Sequence, residues 1–382
     1  MTATPTSHSA EVKTGTGPGR ARHLVTPALA GRAGVVLLAA GTFLLPMWLS
    51  QANLTVYVLL GLYAVTAIGL SLLMGFAGQV SLGQAAFMAV GAYTAAILSL
   101  HGAPPVVALL AAPVLAAAVA AAVGVPILRL RDHYLAFATL AFQLILLAVI
   151  SNVGFLGGGL GFTGIPPLGI GSAVLSSSLG YAWLVWAVTV AVMILAGNII
   201  RSRPGRALRA LATSEAAAAS AGVPVVRYKL TVFALSAAAA GFAGGIYAFF
   251  IGYISPDSFP VDLSVELVVM VVILGLGSVW GALLGAAGIT VLVQFLTQVG
   301  TEPGMPAYMP TLLSYAVYGV ALVLIMVFVP GGILPALGRA PATRRIAALL
   351  RQGGAVRPQT TLPTSATSEN PTKDGSAPPP DR

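Results

Sequence analysis

Apolar stretches of about 20 residues without a single charge recur along this chain, and nothing else in the sequence restricts its fold so tightly. At 1.5 Å per residue, a helix of that length crosses a hydrocarbon layer of roughly 30 Å. The remaining residues could not cover such stretches in water. Of 382 residues, 57% are hydrophobic and 8% charged, against roughly 25% charged in a soluble domain. Inside lipid every backbone polar group must be satisfied within its own segment, so the expected fold class is an all-α integral membrane protein.

The apolar runs place spans at about 34–50, 53–74, 81–100, 105–128, 134–153, 180–200, 230–252 and 311–330, with an interrupted stretch at 264–299. Cations sort the loops between them. Arg20, Arg22 and Arg32, then Arg129 and Arg131, then Arg201 through Lys229, then Arg339 to Arg351 belong on the cytoplasmic side. The opposite loops carry Asp257, Asp262 and Glu302 and no Lys or Arg. Parity then requires 264–299 to enter and return, and Gly275-Leu276-Gly277-Ser278 offers the turning point. The expectation is a polytopic bundle of about 8–10 transmembrane helices with a broken or re-entrant segment near 264–299. Residues 1–32 and 339–382, rich in Pro, Ser, Thr and Gly, read as disordered cytoplasmic tails around a membrane domain at 33–338.

Several functions are disfavoured. A net charge of +9 is compatible with binding nucleic acid, but the basic residues lie in short clusters between apolar runs instead of on one soluble face. With no cysteine there is no disulfide, thiolate metal site or catalytic thiol. His8, His23, His101 and His133 lack ligand spacing, so no metal site is expected. The span centres hold no ionisable group, which counts against ion-coupled transport: Glu266 lies near an outer end and Asp132 in a cytoplasmic loop. The acids Asp257, Asp262, Glu266 and Glu302 are too spread out for an enzyme's constellation, so no catalytic residue is expected. A Walker phosphate loop is also missing, so the chain has no such cradle for ATP.

Three patterns could carry function. In the cytoplasmic loop 201–229, Arg201, Arg203, Gly205, Arg206 and Arg209 precede Ser214-Glu215-Ala216-Ala217 and Gly222. A Pro-Gly break, a short alanine-rich helix and a glycine stop describe a compact surface helix that either docks into a soluble partner or only fixes topology. Between two spans, Gln79, Ser81 and Gln84 are polar and uncharged; they could bind a zwitterion, cap a half-helix or bond neighbouring helices. Gly277, Gly281 and Gly285, four apart, suggest one helix face packed closely against another.

Glu215-Ala216-Ala217 followed by Gly222 resembles the EAA coupling loop of ABC importer permeases, and Gly205 to Ala210 with Arg227 to Leu230 is similar to that loop in the LIV-type branched-chain amino acid permeases. Leu73 to Gln84, Tyr134 to Leu140, Ser255 to Phe259 and Gly275 to Gly281 resemble the same family, in order, over roughly residues 50 to 335. Gly157 to Pro166 resembles its external Gly-rich segment, although Leu156 and Leu160 stand where that family usually has more polar residues. The resemblance implies a permease subunit moving branched-chain or related amino acids across a bacterial plasma membrane. It also implies partners: ABC ATPase subunits that use ATP and Mg, a second homologous permease, an extracytoplasmic substrate-binding protein and membrane lipid. No cofactor is expected on this chain itself. Glu215, Ala216, Ala217 and Gly222 would form the coupling contact, with Gly205, Arg206 and Arg209 as further contacts or lipid anchors. Gln79, Ser81, Gln84, Thr139, Gly158 and Gly161 are the candidates for the pathway or for substrate contact. Urea or simple sugars as cargo, and an ion-coupled secondary transporter, are the alternatives.

Overall fold

The computed structural model describes residues 41–128, 130, 133–170, 173–175, 177–274 and 276–300, together with 312, 316, 319 and 320. The expected tails, the 311–330 span beyond those four residues and the first part of the 34–50 span lie outside them. After a short 3-10 turn at Leu45–Trp48, the helices are α1 (Gln51–Phe76), α2 (Gln84–Leu100), α3 (Pro105–Ile127), α4 (His133–Asn152) and α5 (Ser178–Arg201). They continue with α6 (Arg203–Thr213), α7 (Glu215–Ser220), α8 (Val225–Ile251), α9 (Val261–Leu274) and α10 (Val279–Gly300). Two small antiparallel ribbons complete the described fold: β1 (Phe162–Thr163) with β4 (Tyr253–Ile254), and β2 (Gly169–Ile170) with β3 (Ala173–Val174).

Among the described residues six helices are long and apolar enough to cross a membrane: α1, α3, α4, α5, α8 and α10. The helix α1 is the post of the bundle. It is apolar on every side, as a fully enclosed helix must be, and 83% of its spanning window is buried. Around it pack α5, α8, α9 and α10. The pairs Tyr57–Trp186 and Gly61–Val185 lie side by side, and Gly69 and Leu72 lie near Val192 and Ile199, so α1 and α5 run parallel.

The tightest packing joins α8 to α2 and α3, and it is made by small residues. On α3 the stripe Ala108, Ala112, Ala116, Ala120 and Gly124 is buried at every fourth position. A Cβ added at Gly91 of α2 would run into the Gly241 backbone of α8, and one at Gly244 into the Met88 backbone. Lipid supplies no hydrophobic drive for helices to associate, so close backbone approach and van der Waals contact must do it. Gly124 at the end of α3 meets Leu230 and Phe233 at the start of α8, which brings the turn near Leu128 and the 201–229 segment to one end of the bundle. The basic 201–229 segment therefore lies at the end of the bundle that α3 reaches at Leu128; Arg129 and Arg131 lie outside the described residues.

The interrupted stretch is broken within the expected tetrad: α9 ends at Leu274 and α10 begins at Val279, with 276–278 outside either helix. The 14 residues of α9 span about 21 Å, short of a hydrocarbon core of roughly 30 Å. One expectation changes here. Gly277 precedes the start of α10 and has φ of +77°, so it does not share a helix face with Gly281 and Gly285. It serves as the turn, with its backbone set against Gly75 of α1, while Gly285 lets α10 approach the Met270 carbonyl of α9.

Candidate functional site

The first candidate is the segment α6–α7. Ser202 ends α5, its N–H donating to Asn198 O at 3.0 Å, and also stands as N-cap of α6. Pro204 follows in the first turn, where a missing N–H costs nothing. The Pro-Gly pair thus opens a helix instead of breaking one, because the chain turns at Ser202, two residues before the proline. Gly205 is needed there: a side chain would strike the carbonyls of Ile199 and Ile200. Leu208 and Leu211 are buried and hold α6 on the bundle against α1 and α8, while Arg203, Arg206 and Arg209 repeat at a three-residue spacing on the exposed side.

The short α7 is framed at both ends. Ser214 Oγ accepts from Ala217 N–H at 3.3 Å, an N-cap. At the other end Gly222 has φ of +82°, its N–H reaches Ala219 O at 2.9 Å, and Val223 N–H reaches Ala218 O at 3.0 Å. These paired bonds form a Schellman stop, which calls for glycine. Ala218 is buried as the anchor, leaving Glu215, Ala216 and Ala217 exposed. Glu215 forms an ion pair with Lys229 at the start of α8.

The second candidate is a buried, uncharged polar cluster at the start of α2. Gln79, Ser81, Gln84 and Thr139 are each at most 3% exposed. Thr139 Oγ1 accepts from Leu82 N–H at 2.9 Å and donates to Ala136 O at 2.9 Å. Gln84 Nε2 donates to Ser236 Oγ on α8 at 3.0 Å, and Ala85 N–H to Ser264 Oγ on α9 at 2.9 Å. Ser264 Oγ in turn donates to Gln143 Oε1 on α4 at 2.6 Å, and Gln143 Nε2 donates to Pro260 O at 3.2 Å. Hydroxyls and amides both give and accept, so the cluster ties four helices without a charge. The carbonyl oxygens of Gln79 and Gln84 have no hydrogen-bond partner within the described structure.

Ser81, Gln84 and Thr139 thus come together, with Gln79 buried earlier in the same loop, while Gly158 and Gly161 do not join them. Thirteen residues of α4, about 20 Å of helix, separate Thr139 from the end of that helix, and the glycine loop lies beyond it. Both glycines have positive φ, and a side chain at Gly161 would collide with Ile254 O, so that residue serves the approach of β1 to β4. Gln143, Ser236 and Ser264 were absent from the residues singled out in the sequence. The signal for them was present as isolated polar residues inside apolar runs.

Long apolar helices around a largely apolar, enclosed post, with a broken helix pair and buried neutral polar ties, define a polytopic α-helical membrane protein. The chain matches the model of the family described as branched-chain amino acid transport system / permease component over residues 53–326, and it belongs to that family. It is 30% identical over 315 residues to the high-affinity branched-chain amino acid transport system permease protein LivM of Salmonella typhimurium, covering 76% of this chain and 72% of that one. The Escherichia coli K12 protein of the same name matches to the same extent. A probable branched-chain amino acid transport permease protein LivM of Methanocaldococcus jannaschii is 25% identical, over 72% of this chain and 91% of its own. No solved structure matches the chain.

Proposed function

We propose that this chain is the permease subunit of an ABC importer for branched-chain or related amino acids in a bacterial plasma membrane, and that α6–α7 is the handle by which a separate ATPase drives it. Family membership and the names of the relatives support the transport role. The observation that carries the handle is the build of α7: capped by Ser214, stopped by Gly222, anchored by Ala218, and presenting Glu215-Ala216-Ala217 outward. A stiff protruding turn transmits force, and a floppy basic loop would not. ATP and Mg belong to the ATPase partner in this reading. A second permease chain and an external binding protein complete the importer, and the basic end with both chain termini faces the cytoplasm.

The chain has no cysteine, so a single cysteine at Ala216 is a unique chemical handle. In membranes containing the whole transporter, A216C should crosslink to the ATPase subunit with a short bifunctional reagent. It should also react with membrane-impermeant maleimide only from the cytoplasmic side. Labelling from the outside of intact cells would end the proposal.

A further inference from the structure

Lys229 is the fifth residue of α8, and only 16% of its side chain is exposed. An ammonium so far withdrawn from water is costly unless it is paired. Its one partner among the described residues is the Glu215 carboxylate, which belongs to a different helix, α7. The two ends of this ion pair are unequal. Lys229 is enclosed, while Glu215 is 56% exposed and would stay hydrated without its partner. Arg227, two residues before Lys229, is exposed and makes no such contact.

What the pair can do follows from how α7 is otherwise held. With six residues it cannot stand alone, since isolated helices shorter than about 12–15 residues are marginal in water. Ser214 and Gly222 define its ends without aiming it. Its buried side chain is Ala218, a single methyl group. One apolar contact fixes a position and leaves the helix free to rock about it. Glu215 and Ala218 are three residues apart and so share an edge of α7. The ion pair therefore adds a second fixed point on that edge, and two points set the direction in which the exposed Ala216 and Ala217 face. The base for this hold is firm, because α8 is seated backbone to backbone on α2 at Gly241 and Gly244.

We propose that Lys229 is a positioning residue for coupling: through Glu215 it sets the angle of α7 on α8, so that Ala216 and Ala217 meet the ATPase in one pose and a push on α7 passes to α8. The inference rests on the reading of α7 as the contact with the ATPase. It asks little stability of the pair, only a preferred pose.

The test uses the whole transporter in proteoliposomes, carries every variant on the A216C chain, and reads the initial yield of the crosslink to the ATPase subunit. Lys229→Gln should lower the yield about two- to fivefold, the shift in population that one partly exposed ion pair supports. Lys229→Arg keeps the charge and should recover most of the yield. Glu215→Gln should lower it at least as far as K229Q does, and adding K229Q to E215Q should change nothing more, because Lys229 acts through Glu215. Arg227→Gln removes a neighbouring charge and should leave the yield at the A216C level. Leucine uptake per ATP hydrolysed should fall in the same order, with the amount of chain in the membrane constant. If K229Q fails to accumulate, Lys229→Met, which keeps the buried stem and leaves no polar group unpaired, takes its place. An unchanged yield in K229Q, no recovery in K229R, a further drop when K229Q joins E215Q, or an equal drop in R227Q would each overturn the proposal and leave the α7 contact standing. A parent A216C chain that gives no crosslink would end both together.

Discussion

Gly91 shows how much a single hydrogen in place of a methyl can matter in a lipid-embedded fold. Its α-carbon lies so near the Gly241 backbone that any side chain must push α2 off α8. Gly91→Val is expected to cost at least about 1–3 kcal/mol, the usual range for overpacking, and to lower the thermal unfolding midpoint in detergent. A fluorescence melt matching the unaltered chain would show that the two helices have room to separate. Gly222 makes the complementary case. Nothing lies within 4 Å of where its Cβ would be, so Gly222→Ala tests backbone conformation alone. At φ of +82° the substitution is expected to cost about 1–2 kcal/mol and to fray the stop of α7. Uptake per ATP hydrolysed by the assembled transporter should fall, with the amount of chain in the membrane unchanged. Glu215 contributes little through its own ion pair, since it is 56% exposed and such surface pairs are worth about 0–1 kcal/mol. Its place at the start of α7 therefore matters more for what it presents than for what it stabilises.

Among the elements, α7 was legible in advance because its information is local: a Ser before Glu, a run of alanines, then Gly. The break at 275–278 was legible for the same reason, a glycine-rich tetrad inside a Val and Ile run. The role of Gly277 was misread because a four-residue repeat looks the same whether or not its first member lies inside the helix. The polar cluster was half legible. Gln79, Ser81 and Gln84 stood out as neighbours in sequence, but Gln143, Ser236 and Ser264 meet them only in three dimensions, across separations of more than 50 residues. Their interdependence gives an element-scale prediction. Gln143→Leu removes the acceptor of Ser264 Oγ and the donor to Pro260 O, freeing α4 from α9. The expected loss is about 0.6–2 kcal/mol, in line with interhelical hydrogen bonds in membranes. The double variant with Ser264→Ala should lose less than the sum of the two singles, because both break one network. Strict additivity in thermal melts would show that the bond carries no coupling.

For the whole molecule, six of the expected spans are helices long and apolar enough to cross, 81–100 is a shorter helix, and 34–50 and 311–330 lie largely outside the described residues; the sequence did not say which helices touch. Helices such as α1 and α3 are apolar nearly all round, so their periodicity points in no direction and cannot say which neighbour they face. Small residues decided that instead: the α8 seam with α2 and α3, the Gly285 approach of α10 to α9, and the Gly75–Gly277 contact show where backbones meet. Amide exchange should accordingly be slowest in the middle of α1 and fastest in α6–α7, with α4 between them; comparable protection in α1 and α4 would contradict the packing. The enclosure of α1 also bears on how such a bundle could move. Like an axle held by its bearings, α1 cannot slide or turn without dislodging its neighbours, so any stroke delivered at α6, which rests on it, must tilt the assembly as a unit. The movable parts are then those with few bearings of their own, the short arm α9 and the outlying α4.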